Sequence, residues 1–155
     1  MTLVYEDLLE ESMANNIYVI ENANFTSQAN GLINGDVIGI NKNIRTYRKR
    51  ACILAEEIGH YYTTVGNILS LSNEDSRKQE LKARLWAYDR LIGLKGIVQA
   101  YEHGCRNLCE TAEFLDVTED FFNDALIAYQ NKYGTCVKHE DYIITFIPTL
   151  CVKPI

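Results

Sequence analysis

The strongest constraint on this chain lies in one run, Ala51-Cys52-Ile53-Leu54-Ala55-Glu56-Glu57-Ile58-Gly59-His60-Tyr61-Tyr62-Thr63-Thr64. Ile53, Leu54, Ile58, Tyr61 and Tyr62 recur at helical spacing, which predicts a helix with one buried side. Glu56 and His60 stand one turn apart on a common face, so two carboxylates and an imidazole sit where apolar neighbours lead one to expect core. Ionisable groups are costly to bury unless they are paired or coordinated, and the shared face is one that can hold a cation. Gly59 costs roughly 0.8–1 kcal/mol relative to Ala inside a helix, which predicts close approach of another backbone at that point.

The pattern Glu-Glu-x-x-His is one residue away from the His-Glu-x-x-His helix of zinc peptidases, in which two imidazoles bind the metal and the intervening Glu activates a water. Here Glu56 stands at the first ligand position and Glu57 at that of the base. A carboxylate oxygen is an accepted zinc donor, but it adds negative charge and lowers the Lewis acidity of the metal. The bland alternative is a solvated Glu-x-x-x-His pair on a surface helix.

At 155 residues the chain is long enough to bury a core without disulfides or a structural metal. Its net charge of −6 argues against a dedicated nucleic-acid or anionic-membrane binder, since phosphate binding wants clustered cations. The basic cluster Arg45, Arg48, Lys49 and Arg50 is short. No apolar run approaches a membrane span, and the acidic start Met1-Thr2-Leu3-Val4-Tyr5-Glu6-Asp7 is unlike a signal peptide, so a cytoplasmic location is expected. Five cysteines, with Cys52 in the central helix and Cys105 and Cys109 one turn apart, read as reduced and mostly buried thiols. A Cys105/Cys109 metal pair lacks a second pair at ligand spacing.

Along the chain, residues 2–14 predict an amphipathic opening helix and Ile17-Tyr18-Val19-Ile20 a short strand. Asn30 to Ile40 offers turn residues followed by a second strand, giving a small antiparallel sheet. Asn43 or Thr46 caps the central helix, which runs to about Val65-Gly66. Ser72 or Asn73 caps a second long helix reaching about Leu91. After Gly93 three shorter helical patterns follow, over 94–103, 107–115 and 118–133, and Tyr142 to Ile147 predicts a strand ended by Pro148. Thr111 to Glu119 has the outline of a helix-turn-helix. Glu119, Asp120 and Asp124 on its second helix would be repelled by phosphate, which favours a packing or protein-docking role over DNA binding. His103 reads as a helix-end residue, held as a reserve ligand, and His139 as a residue of a charged turn.

Leu54-Ala55-Glu56-Glu57-Ile58-Gly59-His60 resembles the motif helix of the ImmA/IrrE family of metallopeptidases, usually His-Glu-Leu-Gly-His, and especially its phage and mobile-element branch. Glu80-Leu81-Lys82-Ala83-Arg84-Leu85-Trp86-Ala87 resembles the family's Glu-x-x-Ala-Asn-x-Phe-Ala helix, with Arg84 in place of Asn and Trp86 in place of Phe. Ala83 and Ala87 keep the small residues that let two helices approach.

The resemblance implies an α+β fold: a small antiparallel sheet, a zincin-like metal helix and a second ligand helix over 1–93, then a helix-turn-helix-like unit with a closing strand over 94–155, packed as one compact domain. It implies zinc, or manganese or another divalent ion, held by Glu56, His60 and Glu80, with Glu57 as general base. Tyr61 or Tyr62 would polarise the carbonyl, or be core. Val37, Ile38 and Gly39 would form an edge strand pairing with an extended substrate, or a plain core strand. The implied substrate is a helix-turn-helix repressor, with no direct nucleic-acid or membrane contact. The alternative is a peptidase-fold module that regulates a repressor by docking. On the other reading of the second helix, Glu80 pairs with Arg84 on the surface.

Overall fold

The computed structural model describes residues 3–64 and 73–155, which divide into two compact units, Met1–Ala87 and Tyr88–Ile155. The class is α+β, with six helices and two three-stranded sheets among the described residues. The division falls inside a helix, upstream of the Gly93 boundary read from the sequence.

In the first unit, α1 (Val4–Ala14) leads to β1 (Tyr18–Ala23), β2 (Gly31–Asn34) and β3 (Val37–Asn41), then to α2 (Tyr47–Thr63) and α3 (Asn73–Leu91), which continues into the second unit. The expected ends of α2 at Val65-Gly66, and the Ser72 cap, lie outside the described residues. The sheet order is β1-β3-β2, with β3 parallel to β1 and antiparallel to β2. The sheet is therefore mixed, which corrects the expected antiparallel one. Asn30 to Ile40 makes two strands, turned at Gly35 with φ +62°, and the nearly continuous apolar run Val37-Ile38-Gly39-Ile40 takes the centre. Central strands buried on both faces read this way. Ile38 and Ile40 are fully buried, together with Leu8 of α1 and Leu54 and Ile58 of α2.

Thr46 caps α2 by accepting a hydrogen bond from the Lys49 amide at 3.2 Å. Arg50, one of the basic cluster, ties the start of α2 to β1: its guanidinium donates to the Ile44 and Glu21 carbonyls, both at 2.8 Å, and to Asn22 Oδ1 at 3.2 Å. The Tyr5 hydroxyl of α1 donates to Glu21 at 2.9 Å, and burial is the main cause that pushes its pKa up to about 12.

The second unit holds α4 (Gly93–His103), α5 (Leu108–Leu115), α6 (Glu119–Tyr133) and the antiparallel sheet β4 (Cys136–His139), β5 (Tyr142–Thr145) and β6 (Cys151–Pro154), in that order. Asn107 and Thr118 cap α5 and α6, and Asp116 turns between them in the left-handed region, giving the helix–turn–capped helix outline. Phe122, Tyr129 and Ile144 are fully buried. The Tyr129 hydroxyl donates to Asp89 at 2.9 Å, and burial beside that carboxylate raises its pKa. All five cysteines are free, but only Cys52 is buried; Cys109, Cys136 and Cys151 are exposed, which corrects the expectation of mostly buried thiols. Cys136 and Cys151 flank Thr145 across the sheet, on strands too polar to be seen as such in the sequence.

Candidate functional site

The site in the first unit is made by the crossing of α2 and α3. At Gly59 an added Cβ would collide with the Ala83 carbonyl oxygen, so the two backbones touch where a side chain would otherwise hold them apart. Ala83 and Ala87 are fully buried. This approach places His60 Nε2 3.0 Å from Glu80 Oε2, with the two side chains 25% and 43% exposed. The other oxygen of Glu80, Oε1, accepts from Arg84 Nε at 3.0 Å, one turn along α3.

Glu57 leans toward the sheet. A Cβ on Gly31 of β2 would stand 2.6 Å from Ile53 Cγ2, 3.1 Å from Glu57 Cγ and 3.2 Å from Glu57 Oε1. The absence of a side chain at Gly31 therefore lets the carboxylate lie against the strand. Burial is the main cause that pushes the Glu57 carboxyl up to about 7, followed by the charges of Glu56 and Glu80. Three carboxylates thus act on one small region, and the middle one is poised to exchange a proton near neutrality.

Val37, Ile38 and Gly39 are not an edge strand. β3 is hydrogen-bonded on both sides, so its ladder groups are spoken for, and the Phe25 ring lies over Gly39, 3.0 Å from where a Cβ would be. Glu57 lies over the face of β2 at Gly31, and no other strand joins the outer edge of β2 among the described residues. Tyr61 and Tyr62 are partly exposed and packed edge-on, with Tyr62 against Trp86 at 5.3 Å between ring centroids. Burial and then the Glu11 carboxylate raise the Tyr62 pKa. In the second unit, the His103 and Phe114 rings lie tilted with centroids 4.6 Å apart, and His139 Nε2 is buried without a hydrogen-bond partner among the described residues. That unit has a cavity of about 660 Å³, walled by Ile97, Leu126, Ile127, Phe146 and Leu150 and by none of the expected site residues.

The donor set bears on whether a metal fits. His60 and Glu80 converge to hydrogen-bond distance, their nitrogen and oxygen atoms are donor types that suit zinc, and the nearby carboxylates supply negative charge that a cation would offset. Two donors leave a seat for a divalent ion incomplete. Among the described residues no group of three His, Cys, Asp or Glu side chains is gathered closely enough to complete one. The bond from Arg84 to Glu80 is the pair that the other reading of the second helix expects; Gly31 is the part that the motifs do not reveal.

Comparison with protein-family models, with curated proteins and with solved structures finds no match to this chain.

Proposed function

We propose that the first unit carries a hydrolytic site of the metallopeptidase kind, in which Glu56 would have to be drawn to His60 and Glu80 to hold zinc, or manganese or another divalent ion, with Glu57 as general base. The observation that carries this reading is the 3.0 Å approach of His60 to Glu80 near a half-buried carboxyl whose pKa is raised to about 7. A divalent ion bound there supplies Lewis acidity. Glu57 takes the proton of the attacking water as its oxygen bonds to the peptide carbonyl carbon, and returns a proton to the leaving amine as the C–N bond breaks. A pKa near 7 suits both transfers. The outer edge of β2, which no strand joins among the described residues, offers an extended chain a place to pair. The resemblance of the motif helices supplies the substrate class, a cytoplasmic helix-turn-helix repressor of a phage or mobile element.

The test uses the purified chain and the repressor encoded beside it. Wild type is expected to hold about one divalent ion per chain, lost in His60→Ala. Glu57→Gln keeps the ion and loses cleavage by about 10²–10⁴-fold. Metal content unchanged in His60→Ala would place the site elsewhere. A second reading, a peptidase-fold module that regulates a repressor by docking, draws on the lack of a third assembled donor among the described residues. Repressor binding without cleavage, unaffected by Glu57→Gln, would select it.

A further inference from the structure

We propose that the outer edge of β2 is a self-pairing surface, on which a second copy of this chain adds its own β2, antiparallel, across a two-fold axis at Leu32. Self-pairing is independent of the hydrolytic reading, although an extended substrate would need the same groups.

The ladder decides which groups are on offer. In an antiparallel pair only alternate residues turn their N–H and C=O to the partner strand. The Asn41 amide donates to the Asn30 carbonyl at 2.8 Å, which continues the register in which Leu32 faces Gly39 and Asn34 faces Val37. Asn30, Leu32 and Asn34 therefore bond inward to β3. Gly31 and Ile33 turn their backbone groups outward, where no strand meets them among the described residues. The other three sheet edges are guarded against strand addition. On β1 the Glu21 carbonyl is taken by Arg50, and the register breaks between Ile20 and Ala23. β4 carries Lys138, and β6 carries Lys153 and Pro154. β2 has none of these devices: its register with β3 is unbroken, and residues 22–35 contain neither a charge nor a proline.

Charge selects the occupant. A chain of net charge −6 repels its own kind, so two copies meet where both are neutral. Leu32 is 49% exposed on the face away from α2, while Glu57 lies over Gly31 on the face that α2 covers. With Leu32 on the axis, Gly31 of each copy pairs with Ile33 of the other, so the outward groups of both β2 strands are all bonded. This register also brings Asp36, the first charge after the strand, toward Gln28 of the second copy and away from its own counterpart. The two Leu32 residues form a non-hydrogen-bonded pair with Cα atoms about 4.5 Å apart, and their side chains cover each other. One short strand from each copy makes a weak dimer, smaller than a standard stable interface.

The experiment follows sedimentation of the full-length protein over a concentration series reaching about 1 mM, for wild type and Leu32→Lys. Wild type is expected to pass from monomer to dimer. Leu32→Lys sets like charges opposite each other and is expected to weaken dimerisation by about five- to tenfold. Leu32→Cys, oxidised at high concentration, is expected to give a disulfide that peptide mapping assigns to position 32 of both copies, because Cα atoms about 4.5 Å apart are within disulfide reach. Amide exchange on wild type needs no variant: Gly31 and Ile33 are expected to gain protection with concentration, while Leu32, which faces Gly39, is protected throughout. A wild type that stays monomeric, or a dimer unmoved by Leu32→Lys that leaves the Gly31 and Ile33 amides open, would overturn the assignment. Protection of those amides that appears only with the repressor and without a dimer would give the edge to a substrate strand, and would overturn it too. None of these readouts involves metal or cleavage, so failure here leaves the hydrolytic reading standing.

Discussion

Gly59 of α2 and Ala83 of α3 are in backbone contact, with the Ala83 carbonyl oxygen occupying the place where a Cβ on Gly59 would stand. Everything proposed for the site depends on that contact, because it sets the distance between the helix bearing His60 and the helix bearing Glu80.

The first prediction tests the contact. Gly59→Ala gains about 1 kcal/mol of helix propensity, but forcing a methyl group into a packed crossing costs typically about 1–3 kcal/mol. The carbonyl is backbone and cannot turn aside, so the variant is expected to be less stable in thermal or urea unfolding and to hold less metal. An increase in stability with metal content intact would show that the helices have room to part.

Glu57 gives a prediction with a definite pH window. Its pKa is raised from 4.5 to about 7 in the folded chain. The folded state therefore holds a proton that the unfolded state has released between those values, and stability falls as pH rises from about 4.5 to about 7. Glu57→Gln removes that dependence. It is expected to stabilise the metal-free protein above pH 7 by up to about 3 kcal/mol, at about 1.4 kcal/mol for each pH unit between the two pKa values, and to have no such effect at about pH 4. Unfolding curves for the two proteins that stay parallel across this range would rule out the raised carboxyl.

Gly31 controls how Glu57 lies. In Gly31→Ala the new methyl meets Ile53 Cγ2 at 2.6 Å and Glu57 Cγ at 3.1 Å. Both side chains must shift, and the Glu57 carboxylate is displaced toward water. The expected result is a lower apparent pKa in the pH dependence of stability and, with the cleavage assay in hand, a lower rate at unchanged metal content.

The second unit can be tested through the bond from Tyr129 to Asp89, at 2.9 Å. Tyr129→Phe keeps the buried ring and loses the hydroxyl, which costs about 1.5–3 kcal/mol for a bond to a charged group. Urea unfolding is the measurement, and a variant as stable as wild type would mean that water replaces the hydroxyl at Asp89 without loss.

The site helices were far more legible in the sequence than the sheets. A helix announces itself within its own residues: the spacing of Ile53, Leu54 and Ile58, the Thr46 cap and the anomaly of Gly59 are all local, and the structure has α2 and the close approach at Gly59 where those signals lie. Strand partners are chosen across the chain. Nothing local in Val37 to Ile40 tells that β2 turns back at Gly35 and leaves β3 between two neighbours. β4 and β6 are short and carry Lys138, Lys153 and Pro154, residues with low strand preference, so their pairing with β5 decides them rather than their composition. The cysteines misled for a related reason: Cys136 and Cys151 lie exposed on their strands, and their apolar character does not reveal which face they take.

The central place of β3 also orders events in time. β2 and β3 are joined by a tight turn and can zip together by themselves, whereas β1 pairs with β3 alone among the described residues and must wait until β3 is made and aligned. The hairpin is thus the template and β1 the late arrival. Native-state amide exchange would record the same hierarchy in reverse, with Tyr18 and Ile20, which face β3 from β1, opening before Val37, Gly39 and Asn41, which face β2. Equal protection across all three strands would instead mean that the sheet opens as one cooperative piece.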